Sequence, residues 1–318
     1  MAQTSSTWLV RIGLAVILLC PLYFSAFTIF PFVVLKATLV HLGIGLIALA
    51  AVWTSYQSSQ PLPINSLTLA LLGFLITSLI AGYQGANFEQ SFFSTFERSQ
   101  GLYGLVFCIG LSLSLATING PKDLWRSTFR SIVVAGFIVS VPALAYFVGL
   151  YEVPYLYRDF GRLAFTAGNA AVFGSYLAIL TSLAFALCLV DYQKVSRRMS
   201  ILQFGMLTLL LFSLLATGAR GGLLAVLFSA VVILYASSIP RKWKLTATAM
   251  GFVILIVGSF AMRDIVENRL IQSTLGNQSI SYRLDAWQIG WQALIEKPWF
   301  GWGQENFISI FGQFSTPN

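Results

Sequence analysis

Residues 171–190 read AVFGSYLAILTSLAFALCLV, which is twenty consecutive residues without a charged side chain. A helix of about 20 apolar residues crosses the hydrocarbon core of a bilayer. The stretch Ala171–Val190 therefore predicts a transmembrane helix. Eight further apolar runs flank it along the chain: Leu9–Phe30, Ala37–Tyr56, Ser66–Ala81, Gly101–Ile118, Ser131–Leu150, Ile201–Ala216, Gly222–Ile239 and Leu245–Met262. We expect an all-α, polytopic transmembrane helix bundle with about nine spans.

The composition argues against a soluble domain. Hydrophobic residues make up 57% of the 318 residues and charged residues only 9%, and the mean hydropathy is +0.79. Soluble domains carry about 25% charged residues, so water cannot be the solvent for most of this surface. The first run is too long for the apolar region of a signal peptide and no small-residue cleavage site follows it, so we interpret it as a span.

The basic residues are distributed unevenly between the two sides of the predicted bundle. With the N-terminus in the cytoplasm, ten of the 19 basic residues but only two of the 11 acidic residues fall on the cytoplasmic side. Cytoplasmic loops of membrane proteins carry such an excess of Lys and Arg. The formal net charge of +8 is therefore a topology signal that attracts anionic membrane lipid and requires no nucleic acid. It predicts a multi-pass membrane protein with a cytoplasmic N-terminus.

The chain is predicted to divide into a transmembrane helix bundle over residues 1–262 and a more polar, extracytoplasmic segment over residues 263–318. Within the second part, apolar residues at helical spacing predict an amphipathic helix from Ser281 to Glu296, which Pro298 stops. The residues with this spacing are Leu284, Trp287, Trp291, Leu294 and Ile295. Tryptophan favours the lipid headgroup layer, and stacking on a substrate is the alternative. This interpretation applies to Trp287, Trp291, Trp299 and Trp302.

No metal or cofactor is expected from the sequence. His41 is the single histidine and lies in an apolar run without a cysteine or carboxylate neighbour, and the three cysteines lie in apolar runs as well. This arrangement has neither the spacing of a zinc site nor that of a disulfide framework. The predicted spans contain no acidic residue, which argues against a proton- or sodium-coupled transporter.

Arginine dominates the basic residues of the outer side, where seven of the nine are Arg. Its guanidinium is always charged and contacts two phosphate or carboxylate oxygens at once. Arg220 is the leading candidate, because it lies in a very short glycine-rich outer turn, Thr217–Gly222, between two apolar runs. A charge at this depth usually has a partner or a function. Snorkelling of the side chain to lipid phosphate is the alternative.

A second group of candidates, Arg158, Arg162 and Asn169, precedes the sixth span. A helix N-terminus at this position would favour an anionic ligand. Two simpler roles are open as well. For Arg162 the simpler role is an ion pair with Asp159, three residues before it. For Asn169 it is capping of the helix that follows, because asparagine is a favoured N-cap residue.

Two more arginines are candidates in the remaining outer segments. Arg98 follows Glu97 at the start of the fourth span, where a loop ion pair or a first-turn charge accounts for both residues. Arg283 lies near the start of the predicted amphipathic helix.

These motifs, in this order, resemble the O-antigen ligase family, which includes O-antigen polymerases and bacterial protein O-oligosaccharyltransferases. The stretches that carry the likeness are Glu97-Arg98…Gly101, Gly161-Arg162…Gly168-Asn169, Gly218-Ala219-Arg220-Gly221 and Arg283…Trp287…Pro298…Gly301-Trp302-Gly303…Asn306-Phe307. The resemblance covers nearly the whole chain, although each motif is short.

The resemblance implies an enzyme that takes a glycan from an undecaprenyl diphosphate carrier at the outer face of the plasma membrane. The acceptor would be a hydroxyl of a lipid, another glycan or a protein. Arg220 and Arg162 are then candidate catalytic residues, because arginines stabilise the charge that grows on the leaving diphosphate. The candidate substrate-binding residues are Arg283, Arg158, Asn169 and Arg98. A lipid-linked glycan transporter or flippase is the alternative, although the spans carry almost no charge to line a cavity.

The chain departs from the family pattern at two places. Ala170-Ala171 follows Asn169 where the family commonly has Pro-Asn, which weakens the case for an Asn169 contact. The family's outer loop also continues to a histidine followed by Asn, thought to activate the acceptor, whereas His41 lies on another element. We therefore expect residues 263–318 to be the start of a longer loop, in a chain that is incomplete at its C-terminus.

Overall fold

The computed structural model describes residues 2–25, 27, 30–58, 65–95, 100–117, 122–153, 161–191, 194–237, 239–242, 244–246 and 275–315. We number eleven α-helices within these residues, which contain no β-strand. They are α1 (Ala2–Leu19), α2 (Val34–Ser58), α3 (Ser66–Tyr83), α4 (Phe88–Phe93), α5 (Leu102–Thr117), α6 (Lys122–Phe147), α7 (Ala170–Asp191), α8 (Arg197–Thr217), α9 (Arg220–Ala236), α10 (Leu275–Glu296) and α11 (Phe307–Phe314). The predicted all-helical class is confirmed for this part of the chain.

Five of the helices, α2, α3, α6, α7 and α8, are long and apolar enough to cross a membrane. Three shorter apolar helices lie at Trp8–Leu22, Leu102–Thr117 and Arg220–Ala236. The chain is thus a multi-pass membrane protein, and the count of nine spans stays a prediction. The ninth run, Leu245–Met262, lies almost entirely outside the described residues.

The first apolar run differs from its prediction. It was expected to continue to Phe30, but α1 ends at Leu19 and a short 3-10 helix, Cys20–Leu22, follows it. Pro21 is the physical reason, because proline lacks a backbone N–H and its ring clashes with the preceding helical turn. The second run is longer than predicted, and α2 extends over Val34–Ser58.

The backbone forms two compact units. The first unit comprises Met1–Leu14, Ala37–Ile118 and Gly258–Asn318, and the second comprises Ala15–Lys36 and Asn119–Val257. The boundary predicted between residues 262 and 263 falls in a stretch outside the described residues, so that division stays a prediction.

In the second unit, α7 packs against α6, α8 and α9. Half of its most apolar window is buried inside the protein, which makes α7 the central helix of this unit. Its small residues allow close helix crossings, as is usual in membrane bundles. The surrounding core includes Val139, Ala143, Phe173, Leu177, Leu210 and Leu214, each of them buried.

In the first unit, α3, α4 and α5 pack against one another, and α10 packs against α11. Asn87 begins α4 by accepting a hydrogen bond from the Gln90 N–H with its side chain. Helix α10 ends at Glu296 as predicted, and it begins at Leu275, six residues before the predicted start.

Candidate functional site

The turn between α8 and α9 is closed by local hydrogen bonds. Gly218 has a φ of 59°, in the left-handed region that suits glycine, and its N–H bonds to the Leu215 carbonyl, ending α8. The buried Thr217 hydroxyl accepts a hydrogen bond from the Ala219 N–H at 3.1 Å and donates one to the Leu214 carbonyl at 2.6 Å. Arg220 is the first residue of α9, so two residues separate the helices.

Glycines on α7 and α9 hold this turn against the central helix. A Cβ placed on Gly174 would lie 2.3 Å from the Cβ of Ala219 and 3.0 Å from the Thr217 hydroxyl oxygen. One placed on Gly222 would lie 3.0 Å from the Gly174 carbonyl oxygen. Real Cβ atoms do not approach to 2.3 Å, so glycine is required at position 174, whereas the contact at Gly222 is only tighter than most real Cβ contacts.

Arg162 binds the C-terminal end of α8. Its Nε donates to the Thr217 carbonyl at 2.8 Å, and its Nη2 donates to the Gly218 carbonyl at 3.3 Å. The neighbouring Leu163 N–H bonds to the Ala216 carbonyl at 3.0 Å. A cation at this position pairs with the negative end of the helix dipole. The structure thus brings Arg162 to the turn that carries Arg220, a contact that sequence reasoning missed.

Arg220 is exposed and forms no side-chain hydrogen bond or ion pair with another described residue. The preceding residue, Ala219, gives no side-chain cap to the first turn of α9. An exposed arginine therefore lies beside uncapped N–H groups at the positive end of a helix. This arrangement attracts phosphate or carboxylate oxygens.

Asn169 caps α7. Its side-chain oxygen accepts a hydrogen bond from the Ala171 N–H at 2.7 Å, and its carbonyl accepts one from the Phe173 N–H. The sequence left two roles open for Asn169, helix capping and contact with an anionic ligand. The structure shows the capping contact. Gly168, with a φ of 72°, precedes it and approaches the ring of Phe32 too closely for any side chain.

Three more hydrogen bonds lie on either side of Arg162 in the chain, at Tyr151 and at Thr166. Tyr151, just after α6, donates its hydroxyl to the Pro142 carbonyl at 2.7 Å, and burial raises the pKa of this hydroxyl. The half-buried Lys36 donates its Nζ to the Thr166 carbonyl, and the Thr166 hydroxyl donates to the Pro21 carbonyl. Lys36 is the residue here that sequence reasoning did not select, because its partner is 130 residues away in the chain.

The candidates Arg98 and Arg158 lie outside the described residues, as do Glu97 and Asp159. Arg283 lies on α10 in the first unit, where it is exposed and forms no side-chain hydrogen bond or ion pair with another described residue.

The motif that follows α10, Trp302–Asn306, is a docking segment within the first unit. The Asn306 side chain is fully buried and donates to the Ser91 hydroxyl and the Trp302 carbonyl, both at 2.9 Å. The Ala86 N–H donates to the Trp302 carbonyl at 2.9 Å, and the Gln90 side chain donates to the Glu305 carbonyl at 2.9 Å. The motif therefore attaches the segment after α10 to the residues that follow α3.

Trp302 is held by contacts within the protein, and its predicted position in the headgroup layer stays a prediction. Its indole N–H donates to the Ala293 carbonyl at 2.9 Å, and the Lys297 ammonium lies 3.9 Å from the ring centre. Trp302 thus fastens the last turn of α10 to the docking segment, while Trp287, Trp291 and Trp299 are exposed.

His41 is a packing residue in the first unit. Its ring contacts those of Tyr103 and Phe107, with centroids 4.9 Å and 4.3 Å away. Among the described residues, no group of three or more His, Cys, Asp or Glu side chains is placed to hold a metal ion.

A buried ion-pair cluster lies at the opposite end of α8 from the turn. Asp191, the last residue of α7, is fully buried and accepts hydrogen bonds from Arg126, from Arg130 at 2.7 Å and from Gln203 at 2.7 Å. The predicted span Ala171–Val190 ends one residue before Asp191. The helix includes it, so an acidic residue does lie at the end of a membrane-spanning helix.

Comparison with known families gives one result. Residues 204–317 match the family model of the O-antigen ligases. The matched stretch contains the α8–α9 turn with Arg220, and also Arg283 and the docking segment. The predicted resemblance to the O-antigen ligase family is confirmed over these residues, and the match indicates a membrane protein with a glycosyltransferase-like activity. No curated protein and no solved structure matches the chain.

Proposed function

We propose that the chain is a membrane enzyme that moves a glycan from an undecaprenyl diphosphate carrier to an acceptor hydroxyl at the outer face of the plasma membrane. The observation that carries the proposal is the O-antigen ligase match over residues 204–317. This match includes Arg220, the exposed arginine whose environment suits an anionic ligand.

In the proposed reaction, the oxygen of the acceptor hydroxyl attacks the anomeric carbon of the first sugar. The bond between this carbon and the diphosphate oxygen breaks, and its electron pair stays on the diphosphate. The acceptor proton passes to a base, a role that the family resemblance gives to a histidine. The negative charge that grows on the diphosphate is what positioned arginines stabilise.

Arg220 is the first residue that we propose to stabilise the negative charge on the diphosphate. Its backbone is fixed by the two-residue turn and by the glycine crossing with α7, so its side chain starts from a defined point. A lipid-anchored diphosphate arrives at the membrane surface, because its chain stays in the bilayer. An arginine at the outer end of an apolar helix is at this level.

Arg162 is assigned a second contact. Its Nε and Nη2 hold the carbonyls at the end of α8, which uses one edge of the guanidinium. The other edge is formed by Nη1 and the second N–H of Nη2, and it makes no hydrogen bond with another described residue. Arg162 is therefore proposed to position the turn with one edge and to contact diphosphate oxygen with the other.

The remaining candidates keep proposed roles in substrate binding. Arg283 supports this role by its exposure and by lying in the matched stretch. Asn169 supports it through its place at the N-terminus of α7. The roles of Arg98 and Arg158 rest on the family resemblance alone. The acceptor is proposed to be a hydroxyl of a glycan, lipid or protein.

The proposal is tested by glycan transfer in membranes that contain the full-length protein at matched levels. We expect Arg220→Ala and Arg220→Lys each to lose most activity, because lysine supplies a point charge and not a two-point contact. Loss of one hydrogen bond to a transition-state charge costs about 3 kcal/mol, or roughly a hundredfold in rate.

Arg198→Ala is the matched control. Arg198 is also an exposed arginine, but it lies at the other end of α8, so its replacement should leave transfer unchanged. Near-normal transfer by Arg220→Ala would show that Arg220 is a lipid anchor and would remove the assigned site.

A further inference from the structure

Helix α10 has three different faces. Ile289 and Ala293 are buried against the protein. On a second face, five large apolar residues are exposed in one stripe: Leu284, Trp287, Trp291, Leu294 and Ile295. The third face is polar and consists of Asp285, Gln288, Gln292 and Glu296. With about 100° of rotation per residue, the apolar stripe and the polar face lie side by side and do not mix.

The end of α10 is fixed close to a membrane-spanning helix of the same unit. Trp302 bonds to the Ala293 carbonyl in the last turns of α10, and its own carbonyl accepts the Ala86 N–H. Ala86 lies three residues after α3 ends at Tyr83. A Cβ on Gly85 would lie 2.4 Å from the Trp302 carbonyl oxygen, so this approach requires glycine. Because α3 is a candidate membrane span, its end marks the membrane boundary.

We infer that α10 lies on the membrane surface at the side where α3 ends, with the apolar stripe in contact with lipid. An amphipathic helix of this kind buries its apolar face about 5–10 Å into the boundary between headgroups and acyl chains. Tryptophan is the side chain that favours this layer, and the stripe contains Trp287 and Trp291. Contiguous exposed apolar residues on one face of a helix mark a surface that contacts protein or membrane.

This placement brings Arg283 to the headgroup layer. Arg283 lies one helical turn before Trp287 on α10, beside the apolar stripe. A long basic side chain at this position extends toward lipid phosphates. The inference rests on the packing of the first unit and does not depend on the proposed transfer reaction.

The test uses the full-length protein in lipid nanodiscs, with a nitroxide label at a single introduced cysteine. Cys20, Cys108 and Cys188 are replaced by alanine, and the label is placed by Trp291→Cys or Leu294→Cys in the stripe. Asp285→Cys and Gln292→Cys on the polar face of the same helix are the matched controls. All four label positions are exposed, so the label itself does not enter the protein core. Cys20 and Cys188 are buried, so the unlabelled cysteine-free protein must first show the unfolding midpoint of the unmodified protein.

The measurement is the collision rate of each label with oxygen, which partitions into lipid, and with a water-soluble nickel chelate. We expect labels at 291 and 294 to be several-fold more accessible to oxygen than to nickel, and labels at 285 and 292 to show the reverse. Equal, water-like accessibility at all four positions would overturn the inference. Protection of 291 and 294 from both reagents would also overturn it, because it would show that protein, such as a second copy of the chain, covers the stripe.

Discussion

The Asp191 cluster allows an asymmetric prediction about stability. Asp191 is fully buried, whereas the side chains of its partners Arg126 and Arg130 are 34% and 42% exposed. Replacing both arginines by methionine leaves a buried carboxylate with Gln203 as its remaining described partner. Breaking a buried pair in this way costs about 3–5 kcal/mol.

Removing the carboxylate instead should cost less. In Asp191→Leu the two guanidinium groups keep access to water, so a part of their lost interaction is replaced by hydration. We expect a loss of about 1–3 kcal/mol, the range for hydrogen-bonding groups that lose a charged partner. Asp191→Asn keeps the shape and two polar atoms and should cost the least of the three changes.

The assay is thermal unfolding of the purified protein in one detergent at one protein concentration. The double variant Arg126→Met with Arg130→Met should unfold at the lowest temperature. Asp191→Leu should unfold at a higher temperature, Asp191→Asn at a still higher one, and the unmodified protein at the highest. Arg198→Met is the control, since Arg198 is exposed and its removal should change stability by less than about 0.5 kcal/mol. Equal midpoints for the double methionine variant and the unmodified protein would refute the view that this cluster holds α6, α7 and α8 together.

Three further predictions concern the turns and caps. Gly85→Ala should lower the unfolding midpoint, because the added Cβ would meet the Trp302 carbonyl. The control Gly290→Ala has open space around it and should be neutral or raise stability by about 0.5–1 kcal/mol. Equal shifts of the two midpoints would contradict the contact between Gly85 and Trp302. Asn169→Ala should cost about 1 kcal/mol by loss of the α7 cap, and Asn169→Ser should restore it. If glycan transfer stays lost in Asn169→Ser, the side chain has a role beyond capping. Arg162→Met should lower both stability and transfer, and a change in neither would contradict its contact with the turn.

The apolar helices were predictable because lipid solvation selects long runs without charge, a property that is local in the sequence. Their ends were less predictable. The first helix stops at Leu19 because of Pro21, although the apolar run continues to Phe30. Helix α7 extends to Asp191, because Arg126 and Arg130 of α6 pair with its carboxylate. These partners are more than 60 residues away in the sequence, so the residues next to Asp191 do not indicate them.

The candidate site was predictable as a set of residue types and not as a set of contacts. Arg162 has Asp159 three residues before it in the sequence, which suggested an ion pair, and Asp159 lies outside the described residues. Within the described residues, the partners of Arg162 are carbonyls 55 and 56 residues away. Likewise, two of the hydrogen bonds of Asn306 are with residues more than 200 positions earlier, Asn87 and Ser91. Such long-range pairing depends on helix packing, which a single sequence does not display.

We propose that the protein cleaves a lipid-linked donor and transfers its glycan. The most direct measurement supplies proteoliposomes of the full-length protein with a donor labelled in both the glycan and the lipid, together with an acceptor that carries hydroxyl groups. We expect labelled glycan to become attached to the acceptor and an equal amount of undecaprenyl diphosphate to be released. Both products should be absent when Arg220→Ala replaces the unmodified protein. Movement of the intact donor across the bilayer, without cleavage, would contradict the account and identify a transporter.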